Sequence, residues 1–154
     1  MIKIEFVQPS IKNDIVDIGN LHKIINVGQT NNHNVLDFIA NKISTEDKIP
    51  HADYNKNYIS IQNNILYIIT IERGTGQTYA CGSGAAAAGF FAIKNKLIVS
   101  APEHTNIPTA PKAQIINHGY ILEKKSTLYV EYDANHNKLF LIGGYEYVFS
   151  GEVI

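Results

Sequence analysis

The residue types most able to do chemistry in this chain lie close together in ERGTGQTYACGSGAAAAG, residues 72 to 89. This stretch holds the only cysteine, Cys81, and continues through Gly82 and Ser83 into a run of four alanines. A helix that begins there leaves its first amides unpaired at the positive end of its dipole, which favours an anion such as a substrate carboxylate. A thiol at the same end has its thiolate form favoured, so the pattern predicts that Cys81 is a usable base near neutral pH.

Other interpretations of this stretch are possible. A lone cysteine is more often a small buried apolar residue, although the flanking glycines favour a functional role here. A phosphate-binding loop needs a lysine that the stretch lacks. The letters GSGAAA fit a dinucleotide-binding fingerprint with Glu103 as its acidic residue, but the preceding strand ends near Glu72, too early for that turn, and no further βαβ pattern follows. A nucleophilic role with His22 or His51 as partner base stays open.

Period-two alternation predicts several strands before this stretch, with one amphipathic helix among them. The strands are residues 2–7, two segments within 14–27, 57–62 and 64–72, and the helix is 33–43. Gly19 and Asn20 interrupt the second region, which would expose Asn20 and His22. Asn63 and Asn64 form a tight turn, so the last two strands are a hairpin that leads directly to the cysteine stretch.

Residues 85–94 read as a helix that is apolar on every face and must therefore be buried on all sides. Strands are predicted to follow it at 96–101, 113–118, 127–133, 138–143 and 145–154, with a proline-containing loop at 101–111 and a hairpin loop at 134–137. The small alanines and Gly89 would let those strands approach the helix closely. The predicted fold class is α+β, with a curved and mostly antiparallel sheet wrapped around this buried central helix.

Length and charge exclude several classes of protein. The 154 residues, with 45% apolar content, fit a single domain spanning 1–154. Thirteen basic and fourteen acidic residues give a net charge of −1, so neither nucleic acid nor an anionic membrane is an expected partner. Because neither a membrane-spanning segment nor a secretory leader is evident, we expect a cytoplasmic protein. One cysteine and six scattered histidines predict no disulfide and no metal site.

The stretch also resembles a known signature, that of the C-terminal half of the diaminopimelate epimerase family. The family pattern Glu-Arg-Gly-x-Gly-x-Thr-x-Ala-Cys-Gly-Thr/Ser-Gly-Ala is satisfied at every fixed position from Glu72 to Ala85. Upstream, VDIGNLH is similar to the family's Gly-Asn-Pro-His segment, with Leu21 in place of the proline, and YVFSGEV is similar to its closing phrase. The resemblance implies an amino acid epimerase or racemase that uses two cysteines and no cofactor.

The resemblance also implies roles for individual residues. Cys81 corresponds to the C-terminal catalytic thiol, and Glu72 to the acidic group that assists it. His22 corresponds to the family histidine that is associated with the other thiol. Gly82 and Ser83 would hold the α-carboxylate at the reacting carbon.

The distal end of the substrate, diaminopimelate, would be held by a second set of residues. The resemblance assigns this role to Asn20, Arg73 and an asparagine that follows the middle loop. Asn55 is the preferred choice because NKNYI fits the family's Asn-x-x-aromatic-apolar pattern, and Asn34 is the alternative.

The family's N-terminal half carries the partner cysteine in a Cys-Gly-Asn-Gly context, whereas these residues resemble the C-terminal half only. Inversion of a stereocentre by proton transfer needs an acid or base on each face of the α-carbon, and one thiol serves one face. The expected partners are therefore a diaminopimelate-like amino acid and either an N-terminal epimerase half or a second copy of this chain. A racemase for another amino acid and a non-catalytic amino acid binding or assembly domain remain the alternatives.

Overall fold

The computed structural model describes residues 1–31, 33–49, 51–98, 112–117 and 127–144. Within these ranges the chain forms ten strands and two helices. The strands are β1 (Ile2–Val7), β2 (Ser10–Lys12), β3 (Ile15–Asp17), β4 (Leu21–Asn26), β5 (Asn55–Gln62), β6 (Ile65–Glu72), β7 (Gly76–Thr78), β8 (Lys112–Asn117), β9 (Thr127–Asp133) and β10 (Lys138–Gly143). The helices are α1 (Val35–Lys42) and α2 (Gly82–Lys94).

All ten described strands belong to one sheet of order β1-β10-β9-β8-β6-β5-β4-β3-β2, with β7 added beside β6. Its pairings are antiparallel except for β4 with β5 and β6 with β8. The described strands do not close on themselves, because β1 lies at one end of this order and β2 at the other. The α+β class and the mostly antiparallel sheet are thereby confirmed, whereas curvature of the sheet around a central helix stays a prediction.

The two helices pack on opposite faces of the central strands β5 and β6. Alternate residues of a strand point to opposite faces, so each strand contributes to two apolar clusters. Ile59 and Ile68 join the alanines of α2 in one cluster. Tyr58 and Ile69 join Ile39 of α1 in the other.

Helix α2 is apolar on every face because it packs against strands rather than facing water. Eight of its thirteen residues are buried, against two of the eight in α1. Gly89 shows how closely the sheet approaches, since a Cβ built on it would lie 2.6 Å from Val130 Cβ on β9. An alanine at this position would overlap the valine, so the glycine is required by packing.

Most of the predicted elements agree with the structure, and the exceptions have physical causes. Residues 96–98 are not a strand, because Lys96 adopts a left-handed backbone with φ of 56° and the Leu97 amide donates to the Ala92 carbonyl at 2.9 Å. This bond turns the chain back over the end of α2. The remainder of the predicted strand 96–101, the loop 101–111 and the strand 145–154 lie outside the described residues. The short strands β2 and β7 were not predicted.

Neither helix of the described ranges has the length and apolar character that crossing a bilayer requires.

The variant Gly89→Ala tests this contact, because packing and helix propensity change the free energy of unfolding in opposite directions. Alanine is the better helix former by about 1 kcal/mol, yet we expect Gly89→Ala to lower the unfolding free energy by about 1–3 kcal/mol because its methyl overlaps Val130. Urea unfolding followed by circular dichroism measures the change. Gly144→Ala is the control, since a Cβ there meets nothing within 4 Å.

The double variant Gly89→Ala with Val130→Ala should be less destabilised than the sum of its single changes, because removal of the valine side chain relieves the overlap. A Gly89→Ala protein as stable as the parent would contradict this account of the helix–sheet contact.

Candidate active site

A row of polar side chains crosses one end of the sheet on the face that is covered by α2. His22 lies opposite Asn55 in the parallel pair β4–β5, and Asn57 lies opposite Thr70 in the antiparallel pair β5–β6. Glu72 is two residues after Thr70 and therefore shares its face. His22, Asn55, Asn57 and Thr70 are all buried. The N-terminal end of α2 packs over this row.

Cys81 is the N-cap residue of α2 and lies directly over this polar row. Its backbone is extended, its carbonyl accepts from the Ala85 amide at 2.9 Å, and its Sγ accepts from the Gly84 amide at 3.3 Å. A sulfur thus occupies the place that a serine or aspartate oxygen usually takes at a helix start. The residue is 7% exposed.

Ser83 and Asn20 extend the site from Cys81 towards the surface. Ser83 Oγ lies 3.4 Å from Cys81 Sγ, and Asn20 Nδ2 donates to the same Oγ at 3.5 Å. Asn20 reaches this position from the turn between β3 and β4, where Gly19 has φ of +100°. The interruption that the sequence indicated between these strands therefore places Asn20 beside the start of α2.

Gly82 is the first helical residue and is exposed. By the geometry of an α-helix, the Gly82 and Ser83 amides have no acceptor within the helix. They can therefore donate to an anion at the mouth of the site.

The Glu72 carboxylate lies at the end of β6 and is held by Thr78 on β7. Thr78 Oγ1 donates to Glu72 Oε1 at 2.5 Å, across a turn in which Gly74 and Gly76 have positive φ. The same carboxylate is near enough to the Cys81 thiol to raise its pKa. The hydrogen bond from Thr78 thus fixes the Glu72 carboxylate at the end of β6.

The prediction of a favoured Cys81 thiolate is wrong for this structure. Burial raises the pKa of the Cys81 thiol, and its hydrogen bonds with Ser83 and the Gly84 amide oppose that rise. The Glu72 carboxylate raises the pKa further, by its charge and by accepting the thiol proton in a hydrogen bond. The N-terminal amides of α2 do not outweigh these effects, because transfer of an anion out of water costs more free energy than the hydrogen bonds from Ser83 and the Gly84 amide offset. Cys81 is therefore a protonated thiol at neutral pH.

Asn55 and Arg73 are joined through the backbone. Asn55 Oδ1 accepts from the Arg73 amide at 2.7 Å, which fixes the chain as it leaves β6. Asn55 is buried, while Arg73 is exposed. The alternative residue, Asn34, is the N-cap of α1 and accepts from the Asp37 amide at 3.3 Å. Since α1 packs on the other face of β5 and β6, the geometry favours Asn55 over Asn34.

His22 lies at the inner end of the polar row and is fully buried, so the predicted exposure is correct for Asn20 and wrong for His22. Its Nδ1 is 3.1 Å from Asn57 Nδ2, and its Nε2 has no hydrogen-bond partner among the residues that the structure describes. Burial lowers the pKa of His22 to about 4, although the negative charge of Asp17 acts in the opposite direction. The imidazole is therefore neutral at physiological pH.

Three polar residues of this site were absent from the sequence-based set: Asn57, Thr70 and Thr78. The sequence pattern did indicate Asn57 and Thr70. Asn57 lies two residues after Asn55 and Thr70 two residues before Glu72, so alternation places each of them on the same face as its partner. Thr78 gave no such signal because β7 is too short to show alternation. No group of three or more His, Cys, Asp or Glu side chains suited to a metal ion occurs in the described part of the chain.

The buried neutral His22 predicts a pH dependence of stability. A base whose pKa is lower in the folded state stabilises the fold above its unfolded pKa, and this contribution is lost as the pH falls from about 6.5 to about 4. Between pH 7 and pH 4 we expect the parent to lose on the order of 3 kcal/mol more unfolding free energy than His22→Gln loses. Urea unfolding at several pH values measures both.

His33→Gln, at an exposed histidine, is the control and should follow the parent. Equal losses in the parent and in His22→Gln would mean that His22 becomes charged in the folded state without cost.

The amino-acid sequence is similar to parts of several known proteins. No protein-family model matches it. It is 32% identical to a diaminopimelate epimerase of Leptospira biflexa over 139 residues, which cover 90% of this chain and 42% of the relative. It is 36% identical to that of Buchnera aphidicola over 96 residues, or 62% of this chain and 33% of the relative. For Methanocaldococcus jannaschii the identity is 34% over 93 residues, or 56% and 31%. The chain thus matches less than half the length of these relatives, and the predicted resemblance is confirmed: the chain is similar to part of these diaminopimelate epimerases.

Proposed function

We propose that this chain is one part of a cofactor-independent amino acid epimerase that interconverts LL- and meso-diaminopimelate. The observation that carries the proposal is the position of the Cys81 thiol at the start of α2, where its Sγ accepts from the Gly84 amide at 3.3 Å and the Glu72 carboxylate raises its pKa. The similarity to enzymes named diaminopimelate epimerase supports the substrate class. The domain, residues 1–154, would correspond to the C-terminal half of the complete enzyme, with α2 as its central helix.

Proton transfer at Cys81 follows from the protonation states in the site. As an acid, the Cys81 thiol donates its proton to one face of a substrate α-carbanion, which forms a C–H bond and leaves a thiolate. As a base in the reverse direction, the thiolate takes the α-proton and the C–H electron pair stays on carbon. The Glu72 carboxylate accepts the thiol proton when the thiolate must form and returns it afterwards.

The start of α2 is suited to hold the substrate α-carboxylate, on which the carbanion charge is shared. The Gly82 and Ser83 amides supply donors at the positive end of the helix dipole. These donors are fixed by the fold, so they stabilise the developing charge without reorganisation. Asn20 holds the Ser83 hydroxyl and thereby fixes the edge of this pocket.

The distal amino acid group of the substrate would be held by Asn20, Asn55 and Arg73. Arg73 is exposed at the end of β6, and its backbone is fixed by Asn55. A guanidinium suits a carboxylate because it can donate two parallel hydrogen bonds. A substrate with a second carboxylate therefore fits this end better than an amino acid with an apolar side chain.

The opposite face of the α-carbon needs a second acid or base. We propose that an N-terminal epimerase half supplies a second thiol there, with His22 beside it, and that a second copy of this chain is the alternative source. Closure by that partner would also exclude water and strengthen the electrostatic interactions around the carbanion.

The first test of the proposed function measures conversion of LL- to meso-diaminopimelate and uptake of deuterium at the α-carbon in deuterated water. We expect negligible conversion by the chain alone and turnover when an N-terminal epimerase half is added. Cys81→Ala should abolish that turnover, because it removes the group that donates and accepts the proton on this face of the α-carbon. Ser60→Ala, on the opposite face of β5, is the matched control and should retain it.

Turnover by a chain that is shown to be monomeric and free of a partner would contradict the two-thiol mechanism. Binding of diaminopimelate without exchange, even with the N-terminal half present, would instead indicate a non-catalytic amino acid binding domain. Exchange with another amino acid in preference to diaminopimelate would indicate a racemase.

A second test concerns the protonation of Cys81. The pH midpoint of alkylation by iodoacetamide, followed by mass spectrometry, should be higher in the folded chain than in the chain unfolded by urea, because burial and Glu72 raise the pKa of the thiol. Glu72→Gln should lower that midpoint, since it removes the negative charge next to the sulfur. Glu46→Gln, at an exposed glutamate, should leave it unchanged. An unchanged midpoint in Glu72→Gln would remove Glu72 from its proposed role.

A further inference from the structure

Asn57 and Thr70 form a buried polar pair beneath the first turn of α2. Asn57 is fully buried and Thr70 is 4% exposed. A Cβ built on Gly84 would lie 2.5 Å from Asn57 Oδ1 and 3.0 Å from Thr70 Oγ1, so the helix backbone rests directly on the pair. Neither residue has a role in the function proposed above.

The contacts of Asn57 determine which way its amide points. Asn57 Nδ2 lies 3.4 Å from the Lys23 carbonyl oxygen and 3.5 Å from the Asn55 carbonyl oxygen. Carbonyl oxygens only accept hydrogen bonds, so the amide NH₂ must face them. On the other side, Asn57 Oδ1 accepts from Thr70 Oγ1 at 3.0 Å. Exchange of the two amide atoms would place an oxygen against two carbonyl oxygens.

This orientation also determines the tautomer of His22. Asn57 Nδ2 is a donor, and it lies 3.1 Å from His22 Nδ1, which must therefore be the unprotonated nitrogen of the ring. The single proton of the neutral imidazole is then on Nε2. That N–H is buried and has no partner among the described residues.

A buried N–H without an acceptor costs about 1–3 kcal/mol and is rare in folded proteins. Such a group indicates an acceptor that joins the site from outside the described residues. A charged acceptor is favoured, because a hydrogen bond to an ion is stronger than one between neutral groups.

We propose that Asn57, held by Thr70, is a positioning residue that fixes His22 as an Nε2–H donor for an anionic acceptor entering the site. The inference rests on the proposed function, in which two such anions occur: a substrate carboxylate and the thiolate of the opposing half. In either case His22 acts as a neutral donor and not as the base that removes the α-proton.

The tautomer is tested by nitrogen NMR of the chain labelled with ¹⁵N-histidine, which distinguishes protonated from unprotonated ring nitrogens. We expect the His22 spectrum to show a protonated Nε2 and an unprotonated Nδ1. Asn57→Asp should invert the pair, because its carboxylate accepts a hydrogen bond and requires a proton on Nδ1. Thr70→Val should weaken the preference and Thr70→Ser should keep it. Ser60→Ala is the control with a buried hydroxyl removed from the other face.

A protonated Nδ1 in the parent overturns the proposal, and this measurement needs no variant to fold. Retention of the parent tautomer in folded Asn57→Asp also overturns it. These outcomes do not depend on epimerase activity, so failure of the tautomer and failure of the proposed function are distinguishable.

The acceptor is tested by two additions to the same sample. A change in the Nε2–H resonance on adding diaminopimelate alone assigns the acceptor to the substrate. A change only on adding the N-terminal epimerase half assigns it to the opposing thiolate. No change with either addition, or with both together, overturns the ligand role and leaves a bound water as the partner of the donor.

Turnover distinguishes a positioning role of Asn57 from a purely structural one. In the assembly with the N-terminal half, Asn57→Asp should lower kcat by about a hundredfold or more, with a smaller effect on KM, as is typical when a histidine is held in the wrong tautomer. Thr70→Val should also lower kcat, whereas Thr70→Ser should keep kcat close to that of the parent. A kcat unchanged in folded Asn57→Asp would contradict the positioning role.

Discussion

The close approach of α2 to the sheet is the constraint on which the site depends. Gly89 lets the helix lie against Val130, and Gly84 lets its first turn rest on Asn57 and Thr70. The position of Cys81 at the helix start follows from this approach. A side chain at either glycine would lift α2 from the sheet and carry the thiol away from the Glu72 carboxylate. Packing and chemistry are therefore set by the same contact, which explains why the glycines lie within the stretch that carries the cysteine.

Helix position alone did not predict the protonation of Cys81. The N-terminal amides favour a thiolate, but burial opposes charge and Glu72 adds a second opposing effect. Under the proposed function, an amino acid substrate would change this balance, because its ammonium group would bring a positive charge close to the sulfur. The pKa of the thiol would then depend on whether the site is occupied. The sequence contains the residues responsible, whereas the balance between them depends on burial, which only the folded chain shows.

Strong local patterns were predictable from the sequence, and features that depend on contacts between distant segments were not. The hairpin at Asn63 and Asn64 was correct because both residues tolerate positive φ, observed at 50° and 63°. The strand expected at 96–101 is wrong for residues 96–98, because the hydrogen bond from the Leu97 amide to the Ala92 carbonyl continues the end of α2 there. The strand β7 was missed because its pairing depends on a glycine turn and on Glu72. Pairing of Asn57 with Thr70 could have been derived from the alternation once the hairpin register was known.

Cys81 and His22 are both held in their uncharged forms at neutral pH. Burial raises the pKa of Cys81 and lowers that of His22, so the two shifts have opposite directions and one cause. A neutral pair is the less costly state for a buried site with no ligand, since an unpaired charge there would be poorly solvated. Under the proposed function, the charges of an amino acid substrate would be met by groups already in position: the first amides of α2, the Nε2–H of His22 and the Glu72 carboxylate. The hydrogen-bond donors of the site would then be neutral before binding, and the bound amino acid would supply the electrostatic change that makes the thiol reactive.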